Sequence, residues 1–156
     1  MNLFWLDNDP EKSAQYHCDK HVVKMVLETA QILCAIQWVV ADRIAPYRKT
    51  HSNHPITMWA RESQENYQHL IRVGLCLSQE FEFRYNKKHK SAQVIEFCKS
   101  NMLNLPSIGL TKPVQCMPEQ YTDECPVKAY RKFYISEKHD FAKWEKGREE
   151  PYWWPK

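Results

Sequence analysis

Residues 16–41 constrain this chain more than any other stretch. Most side chains from Val22 to Val40 are apolar and no glycine or proline interrupts them. The run therefore reads as a helix that is apolar around much of its circumference, which implies burial. Yet His17, His21, Lys24, Glu28 and Gln31 recur at steps of three or four, which aligns them on one helical face. A buried line of imidazole, ammonium and carboxylate is costly unless it is paired or faces a cleft. Chemistry is expected there first.

The rest of the chain also reads as helical. Residues 2–6 suit a short extended segment. Asp9 before Pro10 predicts an N-cap followed by proline at the first helical position. The first helical region then runs to about Ala41, with a bend or restart near Cys18. Pro46 and the run Thr50–Asn53 form a loop. Pro55 opens a second helical region to about Tyr85, broken near Glu62–Gln64. Asn86–Lys90 is a basic turn, and Ser91 caps a third helix to about Leu103. Pro106, Gly109, Pro113 and Pro118 make residues 104–124 an irregular crossing segment, a length of loop that is often functional. Pro126 starts a last helix through Tyr134, and an aromatic tail covers 144–156. With only three glycines and no hairpin signal, the expected class is all-α. The architecture would be a compact single-domain helical bundle over 1–156.

The six cysteines contain no CxxC pair. Those within helical patterns read as small buried hydrophobes. Met1 is followed by Asn-Leu-Phe-Trp and then acidic residues, unlike a signal peptide. The longest apolar stretch reads as too short and interrupted to span a membrane. These features predict a reduced, cytoplasmic protein without disulfides or membrane contact. The net charge of +3 implies no particular partner by itself.

Three constellations carry candidate chemistry. In the first, His17 and His21 have the spacing of metal-sharing imidazoles, but Lys20 and Lys24 oppose a cation. A structural ion-pair line, with Lys24 held by Glu28, competes evenly with a catalytic reading. In the catalytic reading a desolvated Lys24 acts as an amine nucleophile beside a carboxylate. In the second, Asn53 is expected to cap the helix that opens at Pro55. His51, His54, Thr50 and Arg61 surround that helix start as candidate phosphate ligands, while Trp59 is expected to be structural. In the third, Lys128, Arg131, Lys132, Lys138, Lys143, Lys146 and Arg148 alternate with aromatics that include Tyr152, Trp153 and Trp154. Lys87, Lys88, His89 and Lys90 form a second patch. Cations neutralise phosphates and exposed aromatics stack on or wedge between bases. The structural alternative is that the tail aromatics pack back on the core.

The pattern Asp19-Lys20-x-Val-Val-Lys24-x3-Glu28-x2-Gln31-Ile-Leu33, followed by Asn53-His54-Pro55-x2-Met58-Trp59, resembles bacterial and phage pyrimidine-dimer DNA glycosylases of the endonuclease V type. The ending Arg148-Glu-Glu-Pro-Tyr-Trp-Trp154 is similar to the aromatic ending found in that family. The resemblance covers most of the first half and the extreme C-terminus. It implies a mostly helical single domain that cleaves the glycosidic bond at a damaged pyrimidine. In that family an amine attacks C1′, a Schiff base forms, and strand scission by elimination follows. A carboxylate in the first long helix assists, no metal or other cofactor is needed, and a nucleotide is flipped from the duplex.

Two positions depart from the family pattern. The family amine belongs to a threonine exposed by removal of the initiator Met, whereas residue 2 here is Asn, whose bulk favours retention of Met1. The family glutamate would fall at His21, with Glu28 farther along the helix. The expected catalytic set is thus Lys24 or the Met1 amine as nucleophile, Glu28 as acid/base, and His17 and His21 beside them. Lys20, Gln31, His51, Asn53, His54 and Arg61 are expected to bind substrate or phosphate. Lys143, Arg148, Tyr152, Trp153 and Trp154 are expected to face nucleic acid, most simply double-stranded DNA bound by a monomer in a bacterial host. Two other readings stay open: a nucleobase- or nucleotide-modifying enzyme on the same fold, and a non-enzymatic nucleic-acid-binding module.

Overall fold

The computed structural model describes residues 1–156 as six α-helices and no strands. In order these are α1 (Pro10–Tyr16), α2 (Asp19–Val40), α3 (Pro55–Ala60), α4 (Gln64–Tyr85), α5 (Ala92–Ser100) and α6 (Pro126–Lys138), with one 3₁₀ turn at Glu119–Tyr121. Residues 101–118 form an irregular crossing segment, as the prolines predict. Asp9 caps α1 by accepting from the Glu11 amide at 3.0 Å. The first helical region does restart at Cys18, and the second does break between Ala60 and Gln64.

Three local expectations change. Asn53 is exposed and caps nothing; His54 is the N-cap of α3, its Nδ1 accepting from the Ile56 amide at 3.3 Å. Ser91 does precede α5, but its hydroxyl bonds Tyr47 at 2.8 Å instead of capping the helix. That helix stops at Ser100 because the Asn101 carbonyl is drawn away by Gln37 and Arg43.

The two long helices, α2 and α4, pack together at the centre, with α5 and α3 against both and α1 on α4. Gly74 permits the close approach: a Cβ there would lie 2.9 Å from both Thr29 on α2 and Ile95 on α5. By length and a window hydropathy of 1.4, α2 is sufficient to cross a membrane, contrary to the sequence expectation. One face of it is covered, with Val22, Val26, Ile32, Leu33 and Ile36 fully buried in the core, while Val23, Leu27, Val39 and Val40 are exposed.

The N-terminus of α2 has no side-chain cap of its own. Its free amides are met from a distance: Cys18 donates to the Tyr134 hydroxyl of α6 at 2.9 Å, and Asp19 donates to the Lys143 carbonyl at 2.8 Å. Beneath this junction lies the Arg84 guanidinium, whose side chain is fully buried. It donates to Glu80 at 2.7 Å, Asp19 at 3.1 Å, and the carbonyls of His17 and Gln15 at 2.8 and 2.9 Å. Arg148 from the tail grips both oxygens of Glu80, and Asp19 accepts from the Glu145 amide. Burial alone raises the Glu80 carboxyl pKa, but the two guanidinium groups outweigh it and hold it below the usual range.

Removing one member of such a network strands the others without water. Arg84→Ala is therefore expected to destabilise the fold by about 3–5 kcal/mol, read as a lowered urea midpoint. Arg84→Lys should recover only part of the loss, because an ammonium cannot reproduce the four-way planar fork.

Candidate active site

The first six residues lie as a strap antiparallel to α2. Leu3, Phe4, Trp5 and Leu6 are all buried. The Phe4 ring stacks on His21 at 4.7 Å and meets Tyr134 edge-on at 5.3 Å. Its backbone φ of 27° is left-handed, a strained setting for a bulky residue. Trp5 stacks on His69 at 4.4 Å, and Arg131 of α6 donates to the Leu6 carbonyl at 2.8 Å. The strap thereby delivers the chain start to the middle of α2.

There the Asn2 amide donates to Glu28 Oε2 at 3.2 Å, and the Asn2 side chain donates to the Cys116 carbonyl of the crossing segment at 2.9 Å. The other oxygen of Glu28 pairs with Lys24 at 3.3 Å. His54 sits in the same electrostatic neighbourhood. Burial lowers its pKa, the positive α-amine of Met1 and then His51 lower it further, and Glu28 opposes them. The Cys116 thiol is raised by burial while the same amine pulls it down. With Nδ1 accepting from the Ile56 amide, neutral His54 presents Nε2–H as a donor. The Met1 amine thus acts electrostatically on His54 and Cys116, while Asn2 is bonded to Glu28 and to the Cys116 carbonyl.

The polar line read along the first helix does not stay together. His17 lies outside α2, as the C-cap of α1, with Nδ1 bonded to the Ser13 carbonyl at 2.6 Å. His21 is buried among Phe4, Tyr134 and Phe141. Lys24, expected to be desolvated, has a side chain 64% exposed, whereas that of Glu28 is 12% exposed. Lys20 is exposed with its ammonium 5.5 Å from the Phe141 ring. Gln31 joins Leu27, Tyr47, Arg48, Thr50 and His51 around an open groove of about 420 Å³. Thr50 and His51 bond one another at 2.7 Å. Asn53 is exposed, and Arg61 is half-buried at the C-cap of α3. Trp59 is buried against Trp5, as a structural residue should be. No three His, Cys, Asp or Glu side chains converge as a metal-holding group.

The tail divides between packing and exposure. Trp154 is 8% exposed, packed against Tyr134, Trp144 and His139. Trp153 is half-buried, edge-on to Tyr16 and Tyr134, with the Arg131 guanidinium 5.2 Å from its ring. Arg148 is spent on Glu80 and lies 4.1 Å from the Phe83 ring. Tyr152 and Lys143 are exposed.

Sequence reasoning missed Asn2 as an anchor and Cys116 as a neighbour of the amine. No local signal marks either, because both act across long stretches of chain.

Among known proteins, the family model described as pyrimidine dimer DNA glycosylase matches residues 1–93, which take in the strap, α1 to α4 and the turn after them. No curated protein and no solved structure matches the chain.

The two buried histidines make stability pH-dependent. Burial lowers His17 to about 4, and burial reinforced by the charges of His17 and Lys138 lowers His21 to about 3. The unfolded chain therefore binds more protons between about pH 6.5 and those values, so stability is full above about 6.5 and falls as pH drops through that window. The expected slope is up to about 1.4 kcal/mol per pH unit for each imidazole. Urea midpoints measured from pH 7 to 4 check it; because burial also lowers His69 to about 4, His21→Phe should remove about a third of the slope or less.

Proposed function

The chain belongs to the pyrimidine dimer DNA glycosylase family, and from that premise we propose that its N-terminal α-amine is the nucleophile, working with Glu28. Membership gives a DNA glycosylase-type function in DNA repair, with DNA as substrate. The observation that carries the mechanism is the anchoring of residue 2 on Glu28 at 3.2 Å. The residue that follows the first amine is thereby tied to a mostly buried carboxylate.

In the proposed reaction a damaged pyrimidine nucleotide of double-stranded DNA is flipped toward the groove. The neutral α-amine attacks C1′, the C1′–N bond to the base breaks, and the base departs as an anion that takes a proton from solvent. Glu28 takes a proton from the new C1′–N linkage and returns it to the ring oxygen as the sugar opens, leaving a Schiff base. Strand cleavage follows by β-elimination: Glu28 takes a C2′ proton made acidic by the iminium, the C2′=C3′ bond forms, and the 3′ phosphate leaves. His54 Nε2–H and His51 stand ready to hold a phosphate oxygen. Lys24 is the competing nucleophile, but its exposure removes the desolvation that makes a lysine reactive. As a class, α-amines surrender their proton about two pH units sooner than lysines.

Borohydride added during reaction with dimer-containing duplex is expected to trap a covalent protein–DNA complex. Peptide mass analysis should place the adduct on the N-terminal residue, and the adduct mass states whether Met1 is retained. Extending the N-terminus by added residues should abolish trapping, and Lys24→Ala should preserve it. Glu28→Gln should slow single-turnover Schiff-base formation, read by borohydride trapping, by about 10²–10⁴-fold. An adduct on Lys24 would transfer the nucleophile to that residue. No adduct at all, with DNA binding intact, would favour a binding module or a base-modifying enzyme.

A further inference from the structure

Four of the seven cations expected to meet DNA in the C-terminal third have partners, and Lys128, Lys138 and Lys146, which have none, are scattered among them. Lys132 pairs with Asp123, Lys143 with Glu145, Arg131 with Asp7 and Arg148 with Glu80. The turn between α4 and α5 differs. Lys87, Lys88 and Lys90 are exposed and form no ion pair, and neither does Lys20 on α2.

The turn is also held rigidly. Asn86 takes the left-handed conformation, φ 52°, that ends α4 and reverses the chain. His89 Nδ1 accepts from the Ser91 amide at 3.0 Å, so Nε2–H is free to donate to the Val23 carbonyl of α2, also at 3.0 Å. Its ring stands edge-on to Phe81 at 4.8 Å. Val23 is itself exposed, between Lys20 and the Lys24–Glu28 pair. The histidine thus clamps three unpaired lysines beside the turn of α2 that precedes Glu28. A hollow of about 280 Å³ lies among Phe81, Lys87, Lys88, His89 and Lys90. Glu82 and Glu96 line a groove that Lys88 and His89 also border, but Glu96 faces Lys99 at 3.9 Å and neither acid pairs with Lys88.

We propose that Lys20, Lys87, Lys88 and Lys90 form a ridge that binds successive phosphates of duplex DNA and leads the strand along α2 to Glu28; this rests on the glycosylase reading of the site. Exposed ammonium groups spread over two elements suit a line of phosphates better than a single small anion, which needs convergent buried donors. Such contacts position the duplex without reading its sequence. Because His89 fixes the turn beforehand, binding need not order it.

The test uses the full chain and a duplex carrying a tetrahydrofuran abasic analogue, with affinity measured across a sodium chloride series. Each phosphate contact contributes about 0.9 to the slope of log K against log salt. The triple variant K87A/K88A/K90A is expected to lose about 2–3 from that slope and at least roughly tenfold in affinity at low salt. The corresponding triple arginine variant is expected to keep both. A wild type that binds with a triple alanine variant unchanged in slope and affinity would overturn the ridge and leave the glycosylase reading intact. A wild type without salt-dependent binding to the duplex would overturn that reading itself.

Discussion

The buried Arg84 guanidinium is the interaction on which the rest of this structure depends. It joins the break between α1 and α2 to α4 and, through Glu80 and Arg148, to the C-terminal tail. Alone it would be costly to bury; two carboxylates and a second guanidinium make a neutral, closely bonded set. Its positioning effect is as important as its energy. By taking the carbonyls of Gln15 and His17 it sets how α1 leaves the core, and by holding Asp19 it fixes where α2 begins.

From that fixed start, α2 serves as the rail for the N-terminal strap. Phe4 stacked on His21 and Asn2 bonded to Glu28 are two points of one antiparallel alignment. The left-handed backbone at Phe4 is stored strain, supported by the aromatic packing around it. His21 presents a ring that locates the strap, and Glu28 lies where the strap ends. Burial among Phe4, Tyr134 and Phe141 strongly lowers the His21 pKa.

The aromatic wealth of the sequence also divides by location. Trp154 and Trp144 close the end of the fold over α6, while Tyr152 stays on the surface. Arg131 lies over Tyr16, Tyr152 and Trp153, so the tail is tied to the N-terminal half. Much of what reads as a basic, aromatic nucleic-acid surface is the seam that joins the two ends of the chain. A cluster of unpaired positive charge sits on the turn after α4 and the adjoining turn of α2.

The sequence by itself determined the helical class, the restart at Cys18, the break near Glu62 and the irregular crossing segment. Those are local matters, set by periodicity, proline and capping chemistry over a few residues. It misjudged Lys24, Asn53 and the capacity of α2 to span a membrane. Spacing puts a residue on a face without saying what that face meets. Only the tertiary structure decided that Lys24 is wet, that His21 is packed, that Arg148 is paired, and that Asn2 and Cys116 reach the site. Those outcomes depend on contacts between residues far apart in the chain, such as Asn2 with Glu28 and Arg84 with Asp19, and on which groups lose their water when the helices close.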